Sequence, residues 1–115
     1  MVSMAGRLDP GVNVSPAVLG LHLRDLPTLT LLRVWTMNSV YCLVVADAPE
    51  VLLQGGPFFP EWTAARLDGA AISGLIKIGW IGVGLPMEIC AAGRRIITSP
   101  VRAITIEDAS TSALH

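Results

Sequence analysis

From Leu29 onward the chain is written in short runs of β-branched, aliphatic and aromatic residues separated by turn residues, a pattern that predicts an all-β domain. The runs are Thr30 to Met37, Val40 to Ala46, Glu50 to Gln54, Trp62 to Leu67, Leu75 to Ile81, Leu85 to Ala91, Arg94 to Thr98 and Val101 to Glu107. Asn38-Ser39, Asp47-Ala48-Pro49, Asp68-Gly69, Ala92-Gly93 and Ser99-Pro100 stand between them and supply turn chemistry. Leu85, Met87, Ile89 and Ala91 alternate with Pro86, Glu88 and Cys90, which gives one core face and one mixed face. In the last run Arg102, Ile104 and Ile106 alternate with Val101, Ala103, Thr105 and Glu107. Val40, Cys42 and Val44 face one way and Tyr41, Leu43 and Val45 the other, so this strand is apolar on both faces and calls for a layer on each side. The expected architecture is a small barrel or two-layer sandwich of about seven or eight short strands.

Residues 1–28 carry Pro10, Pro16, Pro27, Gly11 and Gly20 among valines and leucines and hold no period for long. They read as an irregular apolar arm that packs on its own subunit or a neighbour, with capping grounds for a short helix over Pro16 to Leu23 and Ser15 as its N-cap. Residues 29–107 form the β domain, and residues 108–115 lack bulk and period and read as a frayed tail.

Composition changes this picture in one respect. A chain of 115 residues is one domain, yet 52% of it is apolar and only 15% charged. A domain this small buries about two-thirds of the surface its unfolded chain exposes, so the apolar excess predicts a homo-oligomer. The formal charge of -1 argues against a nucleic-acid partner. Cys42 and Cys90 have no metal-type or redox spacing and read as free thiols of a reducing compartment. With no basic region leading into an apolar run near Met1, the expectation is a cytoplasmic protein.

Gly69 to Pro86 has a single charge, Lys77, and approaches the length of a membrane-spanning helix. Five glycines, each costing a helix about 1 kcal/mol relative to Ala, make bent strand the better reading and leave no membrane partner.

Candidate chemistry is thin. Gly79-Trp80-Ile81-Gly82-Val83-Gly84 has the wrong spacing for a phosphate loop, and no helix follows it. His22 lies in the arm and His115 is the last residue, so no catalytic residue, metal site or cofactor is expected. Asn38, Tyr41, Glu61 and Glu88 are the polar groups a small-molecule site at a barrel mouth or subunit interface would use, with the ligand unspecified. For Glu88 the competing reading is a cross-strand ion pair with Lys77, Arg94 or Arg95. Phe58 and Phe59, held between Pro57 and Pro60, form either an exposed contact tip or a plug, and Trp80 is a core or interface residue. A single-strand nucleic-acid reading would use Phe58, Phe59, Trp62, Lys77 and Arg94.

Thr36-Met37-Asn38-Ser39-Val40-Tyr41, Gly55-Gly56-Pro57-Phe58-Phe59-Pro60-Glu61, Gly79-Trp80-Ile81-Gly82-Val83-Gly84 and Thr98-Ser99-Pro100-Val101 together resemble a group of short bacterial all-β proteins of unknown function, over about Leu29 to Glu107. The resemblance implies a bacterial β domain and brings no activity, cofactor or catalytic residue. The sequence therefore reads as a noncatalytic oligomeric module for assembly or interaction, with a small-molecule binding protein or minor enzyme as the alternative.

Overall fold

The structure, a computed structural model, describes residues 17–107. Its strands are β1 (Ala17–Val18), β2 (Gly20–His22), β3 (Leu31–Thr36), β4 (Val40–Asp47), β5 (Glu50–Gly55), β6 (Phe59–Ile72), β7 (Leu75–Ile78), β8 (Trp80–Gly82), β9 (Pro86–Ala91) and β10 (Arg94–Glu107). A single 3-10 turn, Leu23–Asp25, is the helical element among the described residues.

Eight strands form one antiparallel sheet in the order β9-β10-β3-β4-β5-β6-β7, with β1 added to β10, and β2 pairs with β8 in a second, two-stranded sheet. β9 hydrogen-bonds to β10 on one side and to β6 on the other, so the ladders return on themselves around β9, β10, β3, β4, β5 and β6. The inward side of this ring is the core, which includes Leu32 and Val34 from β3, Leu43 and Val45 from β4, Leu53 from β5, Leu67 from β6, Met87 and Ile89 from β9, and Ile104 from β10. The alternation foreseen for Val40 to Ala46 is met, with Tyr41, Leu43 and Val45 inward; that foreseen for Leu85 to Ala91 is met from Met87 on, with Met87, Ile89 and Ala91 inward, whereas Leu85 precedes the strand and is half-buried.

Two differences from the sequence reading have local causes. Neither Ser99-Pro100 nor Asp68-Gly69 is a turn: the first lies inside the 14-residue β10 and the second inside the 14-residue β6. Pro100 stands opposite Pro86 at the end of the β9–β10 ladder, where neither has an amide to leave unpaired, and its carbonyl accepts from Met37 N at 3.1 Å. Past it, the β10–β3 register shifts between Val101 and Ala103, so Val101 and Ile104 both reach the core and strict alternation breaks at Arg102.

The second difference is the arm. Ser15 and Pro16 lie outside the described residues, as do residues 108–115. Within the remainder of the proposed helix, Ala17–Val18 and Gly20–His22 are strand, because Val18 pairs with Ile104, and Gly20, Leu21 and His22 pair with Gly82, Ile81 and Trp80, while Leu23 opens the 3-10 turn. Tertiary pairing overrides the capping signal. Leu23, at 1% exposure, belongs to the core, so residues 17–28 are docked on the body of their own subunit.

Gly69 to Pro86 forms strands, and among the described residues no helix is long and apolar enough to cross a membrane. Gly69 sits beside the register shift of the β9–β6 ladder, with the Lys77 carbonyl packed where a side chain would project. Ser73 and Gly74, both with positive φ, close the tight β6–β7 turn.

Candidate functional site

The outer side of the ring carries the apolar pattern that β4 foreshadowed. Because side chains alternate across a strand, Val40, Cys42 and Val44 project away from the core, and the same holds for Leu31, Arg33 and Trp35 on β3. Cross-strand partners set these into rows: Leu31 with Val44, Val44 with Leu52, and Leu52 with Ala64, spanning β3 to β6. A parallel row runs from Ala103 through Trp35 to Val40. Between them, Arg33 is tied to Glu107 at 3.4 Å. Leu52 is 42% exposed and Val40 matches it, so the two apolar rows reach water on either side of the row that carries Arg33 and Gln54.

The sequence-derived candidates fall in separate places. Asn38 is exposed in the β3–β4 turn, where its backbone N–H donates to Ser99 Oγ at 3.3 Å. Tyr41 is buried in the core, and burial raises its phenol above the ordinary value, offset in part by a hydrogen bond with the Ser39 side chain. Glu61 is exposed on β6, and its carbonyl accepts from Thr63 Oγ1 at 2.8 Å. Glu88 is buried on β9, on the side opposite its core-facing neighbours Met87 and Ile89, with its carboxylate 3.5 Å from Arg95 Nε. Tyr41 and Glu88 thus occupy opposite faces of the sheet, and the four do not form one site. The ion pair foreseen for Glu88 is present, with Arg95 as the partner.

The aromatic pair divides. Phe59 is 5% exposed and belongs to the core, which removes it from any contact or stacking surface, while Phe58 is half exposed with the Arg94 guanidinium 5.3 Å from its ring centroid. Trp80 is half-buried, with Lys77 Nζ 4.0 Å from its ring centroid and its indole seated against Gly20 and Gly82.

A cleft of about 280 Å³ lies where the arm meets the body, lined by His22, Leu23, Arg24, Ala48, Pro49, Ile78 and Gly79. Leu23 N donates to the Gly79 carbonyl at 2.8 Å and Gly79 N to the Asp68 carbonyl at 3.0 Å, which fixes one wall. The His22 ring rests on Gly79, and its buried Nδ1 has no hydrogen-bond partner among the described residues. Arg24 is the one charged side chain in this lining. Sequence reasoning set His22 aside as an arm residue, and only the β2–β8 pairing gives it neighbours. Among the described residues no three His, Cys, Asp or Glu side chains gather as a metal site.

No family model, no curated protein and no solved structure matches the chain.

Proposed function

We propose that the protein is a noncatalytic assembly module, a small β-barrel whose copies associate through the apolar outer face of β3 to β6. The observation that carries this reading is the row Leu31, Val44, Leu52 and Ala64, four successive cross-strand positions without a charge on the side of the sheet away from the core. A strand buried on one face and wet on the other alternates apolar with polar, whereas β4 is apolar on both. Covering such a face removes apolar surface from water at about 25 cal/mol per Å², and a second copy carries the matching surface. The ladders that run from β9 round to β6 and back support the barrel form. The resemblance to short bacterial proteins fits this reading and adds no chemistry. The test is native mass by sedimentation: a multiple of 12.2 kDa for the unaltered chain, reduced by Val44→Lys with Leu52→Lys while circular dichroism is retained. A single-chain mass for the unaltered protein overturns it.

One observation favours a second reading, small-molecule binding. It is His22 Nδ1, without a partner among the described residues and beside the arm cleft, which relocates such a site from Asn38, Tyr41, Glu61 and Glu88 to His22 and Arg24. Native mass spectrometry of the purified chain reads it directly, through a bound small molecule lost in His22→Phe.

A further inference from the structure

The strand that ends the large sheet, β7, pairs with β6 on one side and, among the described residues, with no strand on the other. The tight turn at Ser73-Gly74 fixes which backbone groups are spoken for. Ile72 and Leu75 flank it as a hydrogen-bonded pair, and alternation along an antiparallel ladder then makes Ala70 with Lys77 the next such pair. The Gly79 N to Asp68 carbonyl bond, 3.0 Å, sits where this phase requires it. Leu75 and Lys77 therefore direct their amides and carbonyls into the sheet. Ile76 and Ile78 direct theirs outward, where no described residue accepts or donates.

The side chains on this edge are as unguarded as its backbone. Leu75 is 73% and Ile78 74% exposed, and Ile76 is exposed as well. Natural edge strands are blunted by charge, proline or a bulge. β7 has no proline, its pairing with β6 runs without a register shift, and its one charge, Lys77, is drawn over the Trp80 ring. Beyond Ile78 the edge is closed, because Leu23 N takes the Gly79 carbonyl. What remains open is a short stretch with outward hydrogen-bonding groups and apolar side chains, which an extended apolar strand complements.

We infer that β7 is a strand-addition edge, at which a second copy of the chain docks its own β7 antiparallel about a two-fold axis. The inference rests on the assembly reading above and names the edge that joins the copies. Charge selects the register. Centring the two-fold on Lys77 would set two ammonium groups directly opposite each other, a destabilising arrangement, whereas centring it on Ile76 sets Ile76 against Ile76 of the partner subunit and Lys77 against Leu75 of the partner subunit. In that register the outward amides of Ile76 and Ile78 both find carbonyls across the axis, and the sheet continues from one subunit into the next.

The experiment combines native mass with amide hydrogen exchange on the full chain. Edge pairing doubles whatever unit the sheet face builds, so Leu75→Lys with Ile78→Lys, both at exposed positions, halves the native mass while circular dichroism and melting temperature hold. Ile76→Pro, which deletes an outward amide and leaves the β6 ladder intact, gives the same halving. In the unaltered protein the amides of Ile76 and Ile78 exchange as slowly as those of Leu75 and Lys77, which serve as the internal reference. Fast exchange at Ile76 and Ile78 beside slow exchange at Leu75 and Lys77, or an unchanged mass in the β7 variants, overturns the edge while leaving a multimeric protein and the assembly reading in place. A single-chain mass for the unaltered protein overturns both.

Discussion

The Tyr41 ring fills the space a side chain at position 56 would need: a Cβ there would lie 2.5 Å from the Tyr41 hydroxyl and 2.6 Å from Cε1. Gly56 also has φ +64, so its replacement meets a steric and a conformational obstacle together. Gly56→Ala is expected to cost at least about 2 kcal/mol of folding stability in urea titration. Gly74, with φ +82 and no atom within 4 Å of where a Cβ would stand, isolates the conformational part, and Gly74→Ala is expected to cost only about 1 kcal/mol.

Leu52 and Leu53 are chain neighbours on opposite sides of β5, 42% and 0% exposed. Leu53→Ala leaves a cavity in the core and is expected to cost about 2–5 kcal/mol. Leu52→Ala is expected to change the stability of the lone subunit by less than about 1 kcal/mol and to weaken self-association. Denaturation under dilute conditions, set beside native mass at high concentration, separates the two effects.

Leu29 holds a left-handed backbone, φ 73, just before β3, where its amide donates to the Val45 carbonyl at 2.7 Å. Its side chain is exposed and contributes little to packing. Leu29→Gly keeps the hydrogen bond and relieves the strain, and is expected to raise stability by about 0.5–1 kcal/mol, read as a higher melting temperature.

Burial holds the Tyr41 phenol above its ordinary value of 10.0, so the folded chain keeps this proton more tightly than the unfolded chain does. The resulting stabilisation is complete below the unfolded value and is lost as pH climbs from there through the folded one. Chemical denaturation from pH 8 to 11 is expected to show stability declining at the alkaline end, and declining less steeply in Tyr41→Phe.

What could be read from the sequence follows from how local each signal is. The inward and outward sets of β4 and β9 were legible because a period of two needs no partner to be seen. Phe58 and Phe59 were not separable, since adjacent aromatics between prolines carry no period, and only the Gly55 to Phe59 pairing turns one inward. Ser99-Pro100 has the composition of a turn. It lies in a strand because Pro86, at the start of the preceding strand of the same hairpin, is the residue opposite.

The arm shows the same limit from the other side. Its capping residues favour a helix locally, but Val18, Leu21 and Leu23 find apolar seats on the body, and burial of Leu23 outweighs a cap worth about 1 kcal/mol. His22 had no visible neighbours in the sequence, so the cleft it lines was not legible there. Glu88 was, since a mid-strand carboxylate one strand away from Arg94-Arg95 has an obvious counter-ion.

The pairing of β2 with β8 reaches roughly sixty residues along the chain. During synthesis, β2 leaves the ribosome early and must wait in the open until Trp80 and its neighbours have been added. Leu23 waits with it, and the inside of the ring stays unsealed for that interval. A sister chain growing on the same messenger offers β2 an equally good seat, so exchange of the arm between copies is the error this topology invites.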